Sequence, residues 1–428
     1  MASIFGPAPP MPVNTLVIRK LANVDYLTKL PPEILQMICK HLIARWNTRT
    51  RRSLLSVAAT CRVLRNMTLP MLFSDITNDR FREIKIIPLL KALQSNPQLH
   101  PLIKKIDIQN TSIRGKFSKE DAEFLWKTSK EIIGLKHEQL VVPGRARYAW
   151  FDSTIHGLAL LLSLAPNAAT VSMSAFLGEP RNVLNSRHKA QNRRKPKLYF
   201  PGVTEIKFIL SRRLTFGARA SGDLWGVTEL LTALPKLDKL ELVDGLGWTF
   251  KNPLNFKTPS ITSLILTECD ISSDVLEKFM INFHNLIEFR FTRHSTPILY
   301  PDDRPAPKFI LQLTRPSAAT LEKLSISCIP FLRPPGSAGI PHSWPENGLI
   351  REISGYRKLQ HLSLGAKCVP GIDRKSLVEV LEDCSSLTSL ELTGVGDLNK
   401  EYLDSVARDL QTDGNFPIRT VTFERKSA

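Results

Sequence analysis

The chain has 428 residues, 43% of them hydrophobic, with 58 Lys and Arg against 40 Asp and Glu for a net charge of +18. A single hydrophobic core stops growing near about 250–300 residues, so several units or an extended repeat array are expected, and the apolar content excludes wholesale disorder. The longest apolar runs, such as Leu158–Leu164, fall far short of the roughly 20 residues that cross a bilayer, so no membrane partner is expected.

Residues 1–22 hold four prolines and no apolar periodicity. They read as a disordered leader and not as a secretory signal, because no basic region precedes an apolar stretch. Residues 24–77 read as a helical unit. Pro31-Pro32 suits the first turn of a helix and Glu33 suits its positive end. Ile34, Leu35, Ile38 and Leu42 then recur at helical spacing. The basic run Arg45–Arg52 reads as a connection, followed by a helix from about Ser53 to Cys61 and another from Arg62 to Leu69, limited by Pro70. Three helices in about fifty residues make a unit too small to fold robustly alone. Its surplus of apolar side chains calls either for a docking partner or for packing against the rest of the chain.

From residue 85 to 428 a second pattern takes over, apolar-x-x-apolar-x-apolar. It occurs at Ile103-Ile106-Ile108, Ala168-Val171-Met173, Val203-Ile206-Phe208, Leu237-Leu240-Leu242 and Ile261-Leu264-Leu266. It returns at Leu286-Phe289-Phe291, Leu321-Leu324-Ile326, Leu359-Leu362-Leu364, Leu387-Leu390-Leu392 and Ile418-Val421-Phe423. The bare pattern would arise about ten times by chance, but only about once or twice with polar residues required at the intervening places. Seven copies, among them LDKLEL, LEKLSI and LTSLEL, meet that stricter form. Several follow a short apolar helix and a turn. Helix, turn and strand repeated is the pattern of an irregular leucine-rich-repeat-like solenoid with a parallel sheet, an α/β fold in which single units must stack to bury their apolar faces. Insertions near 181–200, 301–308 and 329–348 are expected to leave it as loops.

The segment Leu30-Pro31-Pro32-Glu33-Ile34-Leu35, continuing to Leu42, and the later Leu54–Cys61-Arg62 resemble the F-box, whose pattern is an LPxEIL opening helix and a partner helix closing in Cys-Arg. The following Leu69-Pro70-Met71-Leu72-Phe73-Ser74-Asp75-Ile76 is similar to the tail of fungal F-box proteins. The resemblance implies a substrate-recognition subunit of an SCF-type cullin–RING ubiquitin ligase. Leu30, Pro31, Ile34, Leu35, Ile38, Leu42, Leu54, Val57 and Cys61 would bind the adaptor subunit and, through it, the cullin. The repeats would hold a protein substrate whose identity is unknown. The ubiquitin chemistry would lie on other subunits, so the chain itself is not expected to be an enzyme.

The sequence has no GxxxxGK[ST] loop, HExxH or GxSxG, and the pairs Gly245-Leu246-Gly247 and Gly394-Val395-Gly396 read as turns. Six cysteines stand without a CxxC pair, so no metal or other cofactor is expected. Free thiols point to a reducing compartment, cytoplasmic, nuclear or both. The charge excess is local: Lys40–Arg65 and Arg181–Lys197 each hold seven Lys or Arg and no acid. Arg187, Lys189, Arg193, Arg194, Lys195 and Lys197 offer a nuclear-import or nucleic-acid loop, and a nucleic-acid-associated repeat scaffold is the rival reading. No aromatic interleaves that run before Tyr199, which favours a solvated loop over nucleic-acid stacking.

Overall fold

A computed structural model of the chain describes residues 29–43, 48–77, 86–108, 119–133, 160–175, 200, 202–210, 222–223, 231, 234–243, 248–249, 260–269, 271–293, 305–328, 348–353, 355–381, 384–395, 399–412 and 417–424. The chain divides into two compact units, Met1–Leu72 and Phe73–Ala428.

The first unit carries helices α1 (Pro32–Ile43), α2 (Thr48–Thr60) and α3, which runs from Arg62 to Phe73. Pro31 supplies the carbonyl that receives the Ile34 and Leu35 amides at 3.0 and 3.2 Å. Glu33 in the first turn of α1 and Lys40 and His41 in its last complement the helix dipole. Packed against α1 is α2, and Leu35, Cys39, Leu54, Leu64 and Leu72 are buried.

Two boundaries differ from the sequence reading. The helix expected from Ser53 begins at Thr48, so Arg49, Arg51 and Arg52 lie on it and not in a connection; arginine is nearly as good a helix former as alanine, and a run of charge is not a break. The next helix continues through Pro70 to Phe73. A proline removes one amide and crowds the carbonyl a turn back, but the extra turn carries Leu72, which is buried.

The second unit is α/β, built on an eleven-stranded parallel sheet. The strands in chain order are β1 (Asp75–Thr77), β2 (Lys105–Ile108), β3 (Thr170–Ala175), β4 (Glu205–Leu210), β5 (Gly222–Asp223), β6 (Lys239–Val243), β7 (Trp248–Thr249), β8 (Ser263–Thr267), β9 (Glu288–Thr292), β10 (Lys323–Ser327), β11 (His361–Gly365), β12 (Ser389–Thr393) and β13 (Thr420–Glu424). The two-residue strands β5 and β7 pair with each other, and all the others join the sheet in sequence order. Helices described in this unit are α4 (Ile86–Ser95), α5 (Lys119–Ile133), α6 (Ser273–Met280), α7 (Pro307–Leu313), α8 (Arg374–Leu381) and α9 (Lys400–Thr412).

All ten copies of the apolar pattern end in a strand of this sheet. Their second positions share one register: Leu240 stands beside Leu264, which stands beside Phe289, then Leu324, Leu362 and Leu390. Third positions make a parallel row, Leu242, Leu266, Phe291, Ile326, Leu364 and Leu392. Every one of these twelve is buried, at about 1.5–3 kcal/mol for each large apolar side chain. First positions sit in the turn before the strand, where a backbone ladder already links neighbours. Thr262, Glu288, Glu322, Gln360 and Thr388 each donate an amide to the preceding turn at 2.8–3.0 Å.

The eleventh strand was not legible. Asp75–Thr77 falls in the segment assigned to the helical unit, yet it pairs with Lys105–Asp107, so it belongs to the sheet. The 301–308 insertion also differs, because Pro307 is the first residue of α7 and is buried along with Pro305; a proline fits where a helix has no amide to satisfy. The leader 1–22 and most of the insertions near 181–200 and 329–348 lie outside the described residues.

Candidate functional site

Two surfaces carry groups that packing does not consume, one on each unit. On the first unit, α1 presents Ile34, Met37 and Ile38 along a single stripe. They are 42%, 64% and 44% exposed. Leu55 on α2 and Val63 at the start of α3 are exposed as well. These are the large apolar side chains that packing within the first unit leaves exposed.

Each residue expected to bind an adaptor has a distinct place. Ile34 and Ile38 lie on the exposed stripe, Pro31 is exposed beside it, and Leu30, Val57 and Cys61 are half-buried. By contrast Leu35 and Leu54 are buried at 2% and 0% exposure, so in this structure they pack inside the unit. Leu42 is on α1, its side chain outside the described set. Met37, Leu55 and Val63 escaped the sequence reading. Met37 carries the usual signal, since it stands three residues from Ile34 on the same side.

On the second unit, the alternate strand residues form the other face of the sheet. One row reads Lys207, Glu241, Ile265, Arg290, Ser325, Ser363 and Glu391 across successive strands. The row beside it reads Glu288, Lys323, His361 and Ser389. Over β8 to β13 this face forms an open groove of about 660 Å³ whose lining includes Arg290, Lys323, Ser325, His361, Ser363 and Glu391. Hydroxyls are dense along it: Thr393 donates to Ser327 at 3.4 Å, and the Ser263 hydroxyl donates to Glu288 at 2.7 Å.

At the upper rim, Glu268 has a positive φ of 54° and its amide donates to the Thr292 hydroxyl at 3.1 Å. Behind the rim lie the thiols of Cys328 and Cys368. The Cys328 amide donates to Cys368 Sγ at 3.3 Å, and burial pushes the Cys328 thiol well above its ordinary range. Neutral and enclosed, this thiol is suited to packing and not to nucleophilic attack. Among the described residues no group of three or more His, Cys, Asp or Glu could hold a metal, and no helix is long and apolar enough to cross a membrane.

The six basic residues Arg187, Lys189, Arg193, Arg194, Lys195 and Lys197 lie outside the described residues. No family model and no curated protein sequence matches the chain.

Proposed function

We propose that the chain is a substrate-recognition subunit of an SCF-type ubiquitin ligase, with an F-box-like first unit that binds the adaptor and a repeat unit that holds a protein substrate. The observation that carries this reading is the exposed stripe Ile34, Met37 and Ile38 in the helix that opens with the F-box-like Leu30-Pro31-Pro32-Glu33-Ile34-Leu35. A stripe of that kind is what an obligate contact buries.

The second unit is read as an irregular leucine-rich-repeat array. Ile261, Leu264, Leu266, Cys269 and Ile271 have the spacing L-x-x-L-x-L-x-x-C-x-L used by such repeats. In that reading the open sheet face, with its hydroxyls and unspent charges, is the substrate surface, and the chain carries no catalytic residue of its own.

Co-purification of the full chain with the adaptor subunit tests the first half. Wild-type protein should retain the adaptor, and Ile34→Asp with Ile38→Asp should release it; retention by the double variant would remove the interface assignment. The rival reading, a nucleic-acid scaffold, predicts DNA or RNA binding that falls steeply with salt and vanishes when Arg193, Arg194 and Lys195 are neutralised.

A further inference from the structure

The open face is not uniformly charged, and its charges are sorted by strand. On β4 and β6 they cancel, because Lys207 and Glu241 pair at 2.6 Å. Ile265 follows and is buried. Beyond it stand the charges of Arg290 on β9 and Lys323 on β10, with the His361 imidazole on β11 as a hydrogen-bonding group beside them, then Glu391 on β12 and Glu424 on β13, all lining the groove. Among the described residues Lys323, Glu391 and Glu424 have no ion-pair partner. Glu288 sits among the cations, but the Ser263 hydroxyl occupies one of its oxygens at 2.7 Å, and Arg290 is only within 3.9 Å of the other. Glu268 and the buried Arg293 also line this end, and both have partners.

We infer that this groove binds an extended peptide segment carrying an acidic group and a basic group four residues apart. The acidic group, a carboxylate or a phosphate, seats among Arg290, Lys323 and His361, and the basic one meets Glu391 and Glu424. The spacing follows from the register. Arg290 and Glu391 share a row three strands apart, and neighbouring strands lie about 4.8 Å apart, so the two ends are separated by about 14 Å. An extended chain advances about 3.3 Å per residue, so four residues cover that distance, and an even number keeps both side chains on the same side of the segment. Between the two ends Ser325 and Ser363 present hydroxyls to the intervening backbone.

One exposed ion pair changes affinity only about twofold to fivefold. Selectivity therefore comes from satisfying both ends at once, since a segment with the wrong spacing leaves one end against solvent or a like charge. This inference rests on the reading of the open face as the substrate surface.

The test immobilises the full chain and selects from a synthetic library of short peptides with one fixed position, Asp in one arm and phosphoserine in the other, and all others random. Enrichment of Lys or Arg four residues from the fixed position is expected, and comparison of the arms tells a carboxylate ligand from a phosphate. Enriched peptides should bind about tenfold or more weakly to Arg290→Glu with Lys323→Glu. On Glu391→Lys with Glu424→Lys the selected base should give way to an acid. Thermal unfolding of each variant confirms that it is folded. No enrichment, enrichment at another spacing, or unchanged binding to both double variants overturns the inference. Binding lost instead on Lys207→Glu would keep the open face as the substrate surface while removing the charge spacing. Binding indifferent to every open-face substitution removes both, and adaptor retention is scored separately.

Discussion

The Cys269 thiol lies 3.4 Å from the Leu242 carbonyl, one strand back in the sheet, and equally close to the carbonyl of Thr267 at the end of β8, the strand it follows. Thr267 is the last residue of β8, and Leu242 is the last but one of β6. The thiol is wholly buried, so water does not substitute. Cys269→Ala should lower stability by about 1–2 kcal/mol, the sum of a lost weak donor and a small void. Urea unfolding of the full chain measures it, and Cys269→Ser, which keeps a donor, should recover part of the loss.

This contact shows where the sequence speaks and where it falls silent. The apolar rows were legible because a buried strand face imposes a spacing on the chain. Requiring polar residues between Leu237, Leu240 and Leu242 separated that spacing from chance. Cys269 gives no local signal, because a single cysteine two residues past a strand has no period, and its bond to the Leu242 carbonyl exists only across the sheet. Asp75–Thr77 was missed for another reason. At three residues it is too short to show any period, and only its partner Lys105–Asp107 makes it a strand. Arg290, Lys323 and Glu391 are placed together by register across strands tens of residues apart, and no local pattern encodes that.

Gly202 gives a prediction that depends on backbone alone. A Cβ at this position would collide with the Pro166 carbonyl oxygen and lie 3.3 Å from that of Ala168. Neither atom belongs to a side chain that could swing away. The turn before β4 must therefore shift, and that turn feeds the ladder in which Thr204 donates to Ala169 at 2.9 Å. Gly202→Ala should cost about 1–3 kcal/mol, seen as a lowered thermal midpoint. An unchanged midpoint would mean that the close approach is absent in solution.

Tyr356 is 2% exposed. Its hydroxyl donates to the Leu311 carbonyl at 3.0 Å and lies 2.7 Å from the Thr314 hydroxyl. The bond ties the end of α7 to the segment that enters β11. Tyr356→Phe should cost about 1–3 kcal/mol, because a buried hydroxyl and carbonyl lose a partner. Combined with Thr314→Val the two losses should be less than additive, since both act on one bond. A pH dependence follows. Burial raises the phenol above its ordinary value near 10, only partly offset by the Thr314 hydroxyl and Arg315. The unfolded chain then ionises first, so this contribution is intact below about pH 10 and is lost as the pH climbs through the higher folded value. Wild-type stability should fall more steeply above pH 10 than that of Tyr356→Phe.

Neighbours on one helix give the sharpest test of the first unit. Ile34 is 42% exposed and Leu35 is 2% exposed, although both belong to the F-box-like opening. If the stripe is the contact surface, the two must fail in different ways. Ile34→Asp leaves the buried layer under α1 intact and should cost no more than about 1 kcal/mol, while weakening adaptor capture tenfold or more. Leu35→Ala leaves a void beneath the helix and should cost about 2–5 kcal/mol, which a unit of this size cannot absorb. Its adaptor binding should fall only in step with unfolding, and lowering the temperature should restore it. Circular dichroism melts run beside adaptor titrations separate the two failures. A stable Leu35→Ala that loses the adaptor, or a stable Ile34→Asp that keeps it, would place the contact on some other surface of the unit.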